Sequence, residues 1–182
     1  METAVPNEAE LLERALRFDR QALAQIYDLY SPGIHRYALR LLGDTAQAED
    51  CVAETFSRFL HALRARKGPR NYIQAYLYRT AHNWIADQYR KAPSAPVELS
   101  EQIADKHAGP EDEYWEQNRQ ARLRLALRKL TPDQQQVIAL KFVEGWENEA
   151  VARALGKPVG AVKSLQHRAL ATLQRLLRNE EL

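Results

Sequence analysis

The residues best placed to do chemistry are cations and tyrosines laid out on helical periods, and that chemistry is the holding of nucleic acid. From Asn148 to Arg178 the chain reads NEAVARALGKPVGAVKSLQHRALATLQRLLR. Between Pro158 and Arg178 stand Lys163, Arg168, Arg175 and Arg178, with no acidic residue. A helix so biased suits a phosphate-lined groove, whereas in an ordinary bundle it would be a solvated face. A second set lies upstream. Tyr72, Tyr76, Arg79, Asn83, Asp87 and Arg90 fall within about a quarter-turn sector of one predicted helix. Rings of this kind stack on unpaired bases, arginine holds phosphate, and asparagine reads a base edge. The competing reading packs the same tyrosines on a neighbouring helix and pairs Arg79 and Arg90 with Asp87. It leaves unexplained the run Arg64, Arg66, Lys67 and Arg70 before the helix.

A third set is acidic. On a predicted helix over Thr45–Ala65, Gln47, Asp50, Glu54, Ser57 and His61 lie opposite the stripe Ala48, Val52, Thr55, Phe56, Phe59 and Leu63. Asp50 and Glu54 are spaced i,i+4, where like charges slightly oppose the helix. They form either a solvated face or a docking surface for a basic partner.

Bond-making chemistry finds no footing in the sequence. The histidines His35, His61, His82, His107 and His167 are scattered without ligand spacing, and there is no Gly-rich phosphate loop or nucleophile elbow. No catalysis, metal or cofactor is therefore expected. Cys51 is the single cysteine, which rules out an intrachain disulfide and suits a reducing cytosol. Beside Val52 it reads as a small core hydrophobe. The leading METAVPNEAE is acidic with no apolar centre, and no apolar run approaches the roughly 20 residues of a membrane span. A cytoplasmic protein is expected.

The elements that must position these sets are helical throughout. Apolar residues recur at three and four, which predicts helices over Glu8–Phe18, Arg20–Leu42, Thr45–Ala65, Asn71–Lys91, Pro110–Leu130, Pro132–Val143, Glu149–Leu155 and Val159–Leu177. Asp44 is apt to cap one of them, and Thr131-Pro132 to open another. Gly156 falls where the chain must turn left-handed, and Pro158 is tolerated only in a first turn. Val151, Leu155, Val159, Val162 and Leu165 would fill the seam of a helix-turn-helix, with Ala152 small enough to let its two backbones cross. The net charge of +2 conceals alternating blocks. Residues 64–91 and 119–182 are each strongly basic, and residues 92–118 are strongly acidic. Ala92–Gly109, with Pro93, Pro96 and Gly109, reads as a flexible acidic linker. The expectation is an all-α chain of two small helical domains, residues 1–91 and 110–182, joined by residues 92–109. Two basic blocks imply two anion-binding surfaces.

Taken in order, ALAQIYDLY (22–30), AEDCVAETFSRFL (48–60), AYLYRTAHNWIADQYR (75–90), LTPDQQQVIALKFVEG (130–145) and the helix-turn-helix resemble an extracytoplasmic-function (ECF) sigma factor. The resemblance covers about residues 8–91 and 110–178. It implies a region 2-like domain that docks on core RNA polymerase and opens the minus-ten element. It also implies a region 4-like domain that reads the upstream element as duplex. By resemblance, Asp50 and Glu54 would meet the polymerase clamp. Arg66, Lys67, Arg70 and Asn71, with the helix bearing Asn83, would take flipped single-stranded bases. Lys163, Ser164, His167 and Arg168 would face the upstream duplex. The partners implied are core polymerase and promoter DNA, with room for an anti-sigma factor and no membrane insertion. The rivals are a free-standing helix-turn-helix regulator, which would leave the acidic and aromatic faces idle, and an enzyme with a helix-turn-helix appendage.

Overall fold

The computed structural model describes residues 7–92 and 111–178, and every regular element among them is a helix. Four helices form the first group: α1 (Glu8–Leu16), α2 (Arg20–Leu42), α3 (Thr45–Arg64) and α4 (Ile73–Lys91). Their starts are fixed locally. The side chains of Asn7, Asp19 and Asp44 accept hydrogen bonds from first-turn amides of α1, α2 and α3, relieving donors that no helix can satisfy internally. The expected stripe of α3 is buried in full, and Cys51 joins it with its Sγ 3.8 Å from the Ala81 carbonyl. Burial pushes the Cys51 thiol up to about 12, so it stays protonated and inert.

The second group comprises α5 (Glu111–Arg128), α6 (Pro132–Ile138), α7 (Asn148–Leu155) and α8 (Val159–Arg178). Thr131 and Gln134 form a capping box at the start of α6, and Gln135 ties that helix to the Leu127 carbonyl at 3.1 Å. The anticipated single helix over 132–143 does not run through. From Ala139 to Val143 it widens into a π turn, and the Glu144 amide reaches back to the Ala139 carbonyl at 3.0 Å. That turn throws Trp146 toward the first group. Val151, Val162 and Leu165 are buried in the seam between α7 and α8, as helical spacing requires, and Ala152 is buried with them.

Helix α4 departs from its sequence reading in two ways. Tyr72 stands outside it, in a left-handed conformation with φ 55°, so it belongs to the preceding loop and not to the helical sector. The second departure concerns burial. Ile73, Leu77, Ala81 and Ile85 are buried as expected, but so are Tyr78 and His82, while Trp84 and Gln88 are only half-buried. The second group packs on α4 and covers a stripe that an isolated domain would leave wet. The Tyr78 and Trp146 rings lie 4.8 Å apart, and Tyr78 meets Tyr37 edge-on at 5.3 Å. His82 sits at the joint. Its Nδ1 accepts from the Tyr37 hydroxyl at 2.7 Å, and its Nε2–H donates to the Pro132 carbonyl at 2.9 Å. Of the acidic linker expected over 92–109, Ala92 caps the end of α4 and the rest lies outside the described residues.

Candidate nucleic-acid interface

The basic loop between α3 and α4 is built to present its charges. The Lys67 amide bonds to the Ala62 carbonyl at 2.8 Å, Arg66 takes φ 54°, and Pro69 is buried. Arg66, Lys67, Arg70 and Asn71 are left exposed around that pinned backbone. Tyr72 follows, about half exposed at 51%. Asn71, Tyr72, Ala75, Tyr76 and Arg79 line a concavity whose far wall is Arg153 of α7. Tyr76 is only half-buried, with its ring 6.0 Å from Phe59, so one part of it belongs to the core and one edge to the concavity. Asn83 is exposed further along α4, and Arg90 pairs with Asp87 at the helix end.

Arg79 does not pair with Asp87. Its Nε donates to the Ala154 carbonyl at 2.6 Å and its Nη2 to the Arg153 carbonyl at 2.7 Å. These are carbonyls of the last turn of α7, at its negative dipole end; the Arg153 carbonyl also accepts weakly from the Gly156 amide at 3.3 Å. The Arg153 guanidinium in turn lies 4.5 Å from the centre of the Tyr72 ring.

On α8, Lys163, Ser164, His167 and Arg168 are all exposed and share one open face. The adjacent positions are committed to structure: Leu165 is buried, and Gln166 donates to the Asn148 side chain at 2.7 Å. On α3, Asp50 is exposed, while Glu54 already accepts from Arg58 one turn away at 2.7 Å.

Residues 26–94 match the Sigma-70 region 2 family, and residues 120–173 match Sigma-70, region 4. The chain is 34% identical over 153 residues to the ECF RNA polymerase sigma factor SigL of Mycobacterium tuberculosis (strain H37Rv), spanning 82% of this chain and 85% of SigL. It belongs to the ECF sigma factors. The ECF sigma factor BldN of Streptomyces coelicolor is 35% identical over 171 residues, covering 92% of this chain and 65% of BldN. A solved structure, that of CnrH in complex with the cytosolic domain of CnrY, shares the fold. Its TM-score is 0.68 at 24% identity, with 94% of this chain and 97% of that chain covered.

As an ECF sigma factor the chain is a transcription initiation factor, and its fold is all-α with region 2 and region 4 units. Four residues of the interface escaped the sequence reading. Tyr78, His82, Trp146 and Arg153 take their importance from contacts between the two helical groups, which periodicity within one helix cannot register. The one available signal was the i,i+4 pair Tyr78 and His82, which lies on α4 between the tyrosine sector and the core stripe.

Proposed function

We propose that this sigma factor directs core RNA polymerase to promoters, with residues 1–91 docking on polymerase and capturing melted minus-ten bases. Residues 110–182 read the upstream element as duplex, and residues 92–109 connect the two. The chain contributes recognition and strand capture in the cytoplasm, while polymerase contributes the chemistry. The observation that carries this reading is the presence, in one chain, of two exposed basic surfaces of different character. The α8 face bearing Lys163, Ser164, His167 and Arg168 is open, exposed and polar, as a major groove requires. The concavity holding Asn71, Tyr72, Tyr76 and Arg79 is aromatic and basic, as unpaired bases require. A duplex-only regulator would use the first and leave the second idle.

Exposed Asp50 and half-buried Glu54 on α3 offer core polymerase an acidic patch. An anti-sigma factor is the further partner class proposed. Run-off transcription with purified core polymerase tests the reading. A discrete start site should appear only when this chain is added, and a transcript pattern identical to core polymerase alone would refute it.

A further inference from the structure

Two contacts of the strand-capture concavity, the Tyr72 ring face and the Arg79 fork, are already occupied, and the occupant is the chain itself. Tyr72, held outward by its left-handed backbone, carries the Arg153 guanidinium at 4.5 Å, where a planar base would stack. Arg79, the cation of the concavity, spends its fork on the carbonyl oxygens of Arg153 and Ala154 at 2.7 and 2.6 Å, where phosphate oxygens would otherwise be held. We propose that α7 is an internal mimic of the melted strand, so that docking of the region 4 unit on α4 and capture of single-stranded DNA are mutually exclusive. This rests on the strand-capture role assigned above to the Tyr72–Arg79 face.

Local sequence makes the mimicry possible. Gly156 ends α7 with φ 64°, and a Cβ there would come within 3.1 Å of Arg79 Nη2. The one residue type that takes this turn without strain also leaves room for the guanidinium. Contacts off the concavity hold the docked arrangement. Arg40 of α2 donates to the Val143 carbonyl at 3.1 Å and reaches Glu144 at 3.5 Å. His82 and Tyr78 supply the buried bond and ring contact to Pro132 and Trp146. Free chain would therefore bind single strands weakly, and whatever separates the two units, such as anchoring each on polymerase, would unmask the concavity. The duplex-facing residues of α8 stay exposed in the docked form, so upstream reading is not masked with it.

The test uses the full chain carrying Arg40→Ala, Trp146→Ala and Arg153→Ala together, which removes side-chain contacts of the docked form and leaves Arg79 free for DNA. Arg40 and Arg153 are exposed and Trp146 is half-buried against Tyr78. Arg40 and Trp146 lie on no proposed DNA or polymerase surface, and Arg153 walls the concavity only in the docked form. Small-angle scattering should show a larger radius of gyration with unchanged helical circular dichroism. Fluorescence anisotropy with a randomised single-stranded DNA pool of about twelve nucleotides should show tighter binding at fixed salt. If about one chain in ten is open in the wild type, the gain is about tenfold. The direction is diagnostic, because removal of two cations would by itself weaken binding to DNA. An unchanged radius of gyration would overturn the docked latch. Expansion without tighter binding would overturn the mimicry. In that case Asn83→Ala, added to the open variant, separates the causes. If it weakens single-strand binding, the strand-capture role stands and only the occlusion fails. If it changes nothing, the capture role fails too.

Discussion

The Arg79 guanidinium closes the last turn of α7 across 75 residues of chain, donating to the Ala154 carbonyl at 2.6 Å. A cation at a helix C-terminus is favoured by the dipole and by orphan carbonyls that need donors. A lysine would offer a point-like ammonium in place of the rigid fork that reaches both carbonyls at once. The same side chain was readable in the sequence as a phosphate holder, and both uses follow from one property, a planar set of donors.

Gly156→Ala should therefore damage two things at once. Its φ of 64° costs a side chain on the order of 1 kcal/mol, and the new Cβ would press on Arg79 Nη2 at 3.1 Å. We expect a thermal midpoint lowered by several degrees. Gly160→Ala, where a Cβ meets nothing within 4 Å, should be neutral or slightly stabilising by the same calorimetric measurement.

His82 sets a pH dependence. Burial pushes it down to about 4 from the ordinary 6.5, against the upward pull of the Pro132 carbonyl and the Asp133 carboxylate from α6. The Tyr37 hydroxyl of α2 faces its other nitrogen. Because the folded value is the lower one, the unfolded chain takes up the extra proton between those two values. Stability is full above pH 6.5 and falls as pH drops toward 4, by an amount on the order of a few kcal/mol. Urea titrations across that window should show the slope, and His82→Gln should flatten it. An unchanged slope in the variant would mean that carboxylates alone produce it.

The helices and their buried stripes were legible because both are local. Asp44, Thr131 and Gly156 announce helix ends by chemistry that acts within a few residues, and α3 buries each residue its periodicity put inside. Two departures from that pattern were decided from farther away. Asn71 and Tyr72 continue the helical pattern of α4, yet Tyr72 takes a left-handed turn that joins α4 to the basic loop. The π turn at Ala139–Val143 carries no Gly or Pro inside it. Within the candidate site, residue types on one face could be listed from the sequence, but their partners could not. Nothing near Arg79 in sequence says that its acceptors are Arg153 and Ala154, since that contact exists only once the second helical group has docked.

The acidic face gives a partner prediction. Asp50→Arg with Glu54→Arg should weaken co-purification with core polymerase. Folding should change by no more than about 0.5 kcal/mol, because Asp50 is exposed and the Glu54–Arg58 pair is a surface i,i+4 contact. Retained co-purification would make this a solvated face.

On α8, Lys163→Ala and Arg168→Ala should each cost about 1–3 kcal/mol on the cognate upstream duplex if they contact base edges. A loss uniform across sequences, with a shallower salt slope, would assign them to phosphate instead. Leu165→Ala belongs to another class. It empties the α7–α8 seam and should lower the thermal midpoint before it touches sequence preference.

Strand opening separates the concavity from every duplex-binding role. Tyr76 is a poor probe, because its ring also packs near Phe59 and its removal would disturb the core. Tyr72 is 51% exposed and Asn83 is exposed, so Tyr72→Ala and Asn83→Ala should leave the fold intact. Stacking is worth roughly 1–3 kcal/mol per base, close to the few kcal/mol that unstacking costs, so a single ring can tip a marginal melting equilibrium. In holoenzyme, both variants should form the closed promoter complex normally and show reduced permanganate reactivity of minus-ten thymines. A template with a pre-melted bubble supplies the unstacking in advance. It should restore Tyr72→Ala more fully than Asn83→Ala, since reading a base edge is still needed once the strands are apart. Wild-type permanganate reactivity in both variants would mean that the face serves only to dock α7, and that melting is driven from elsewhere.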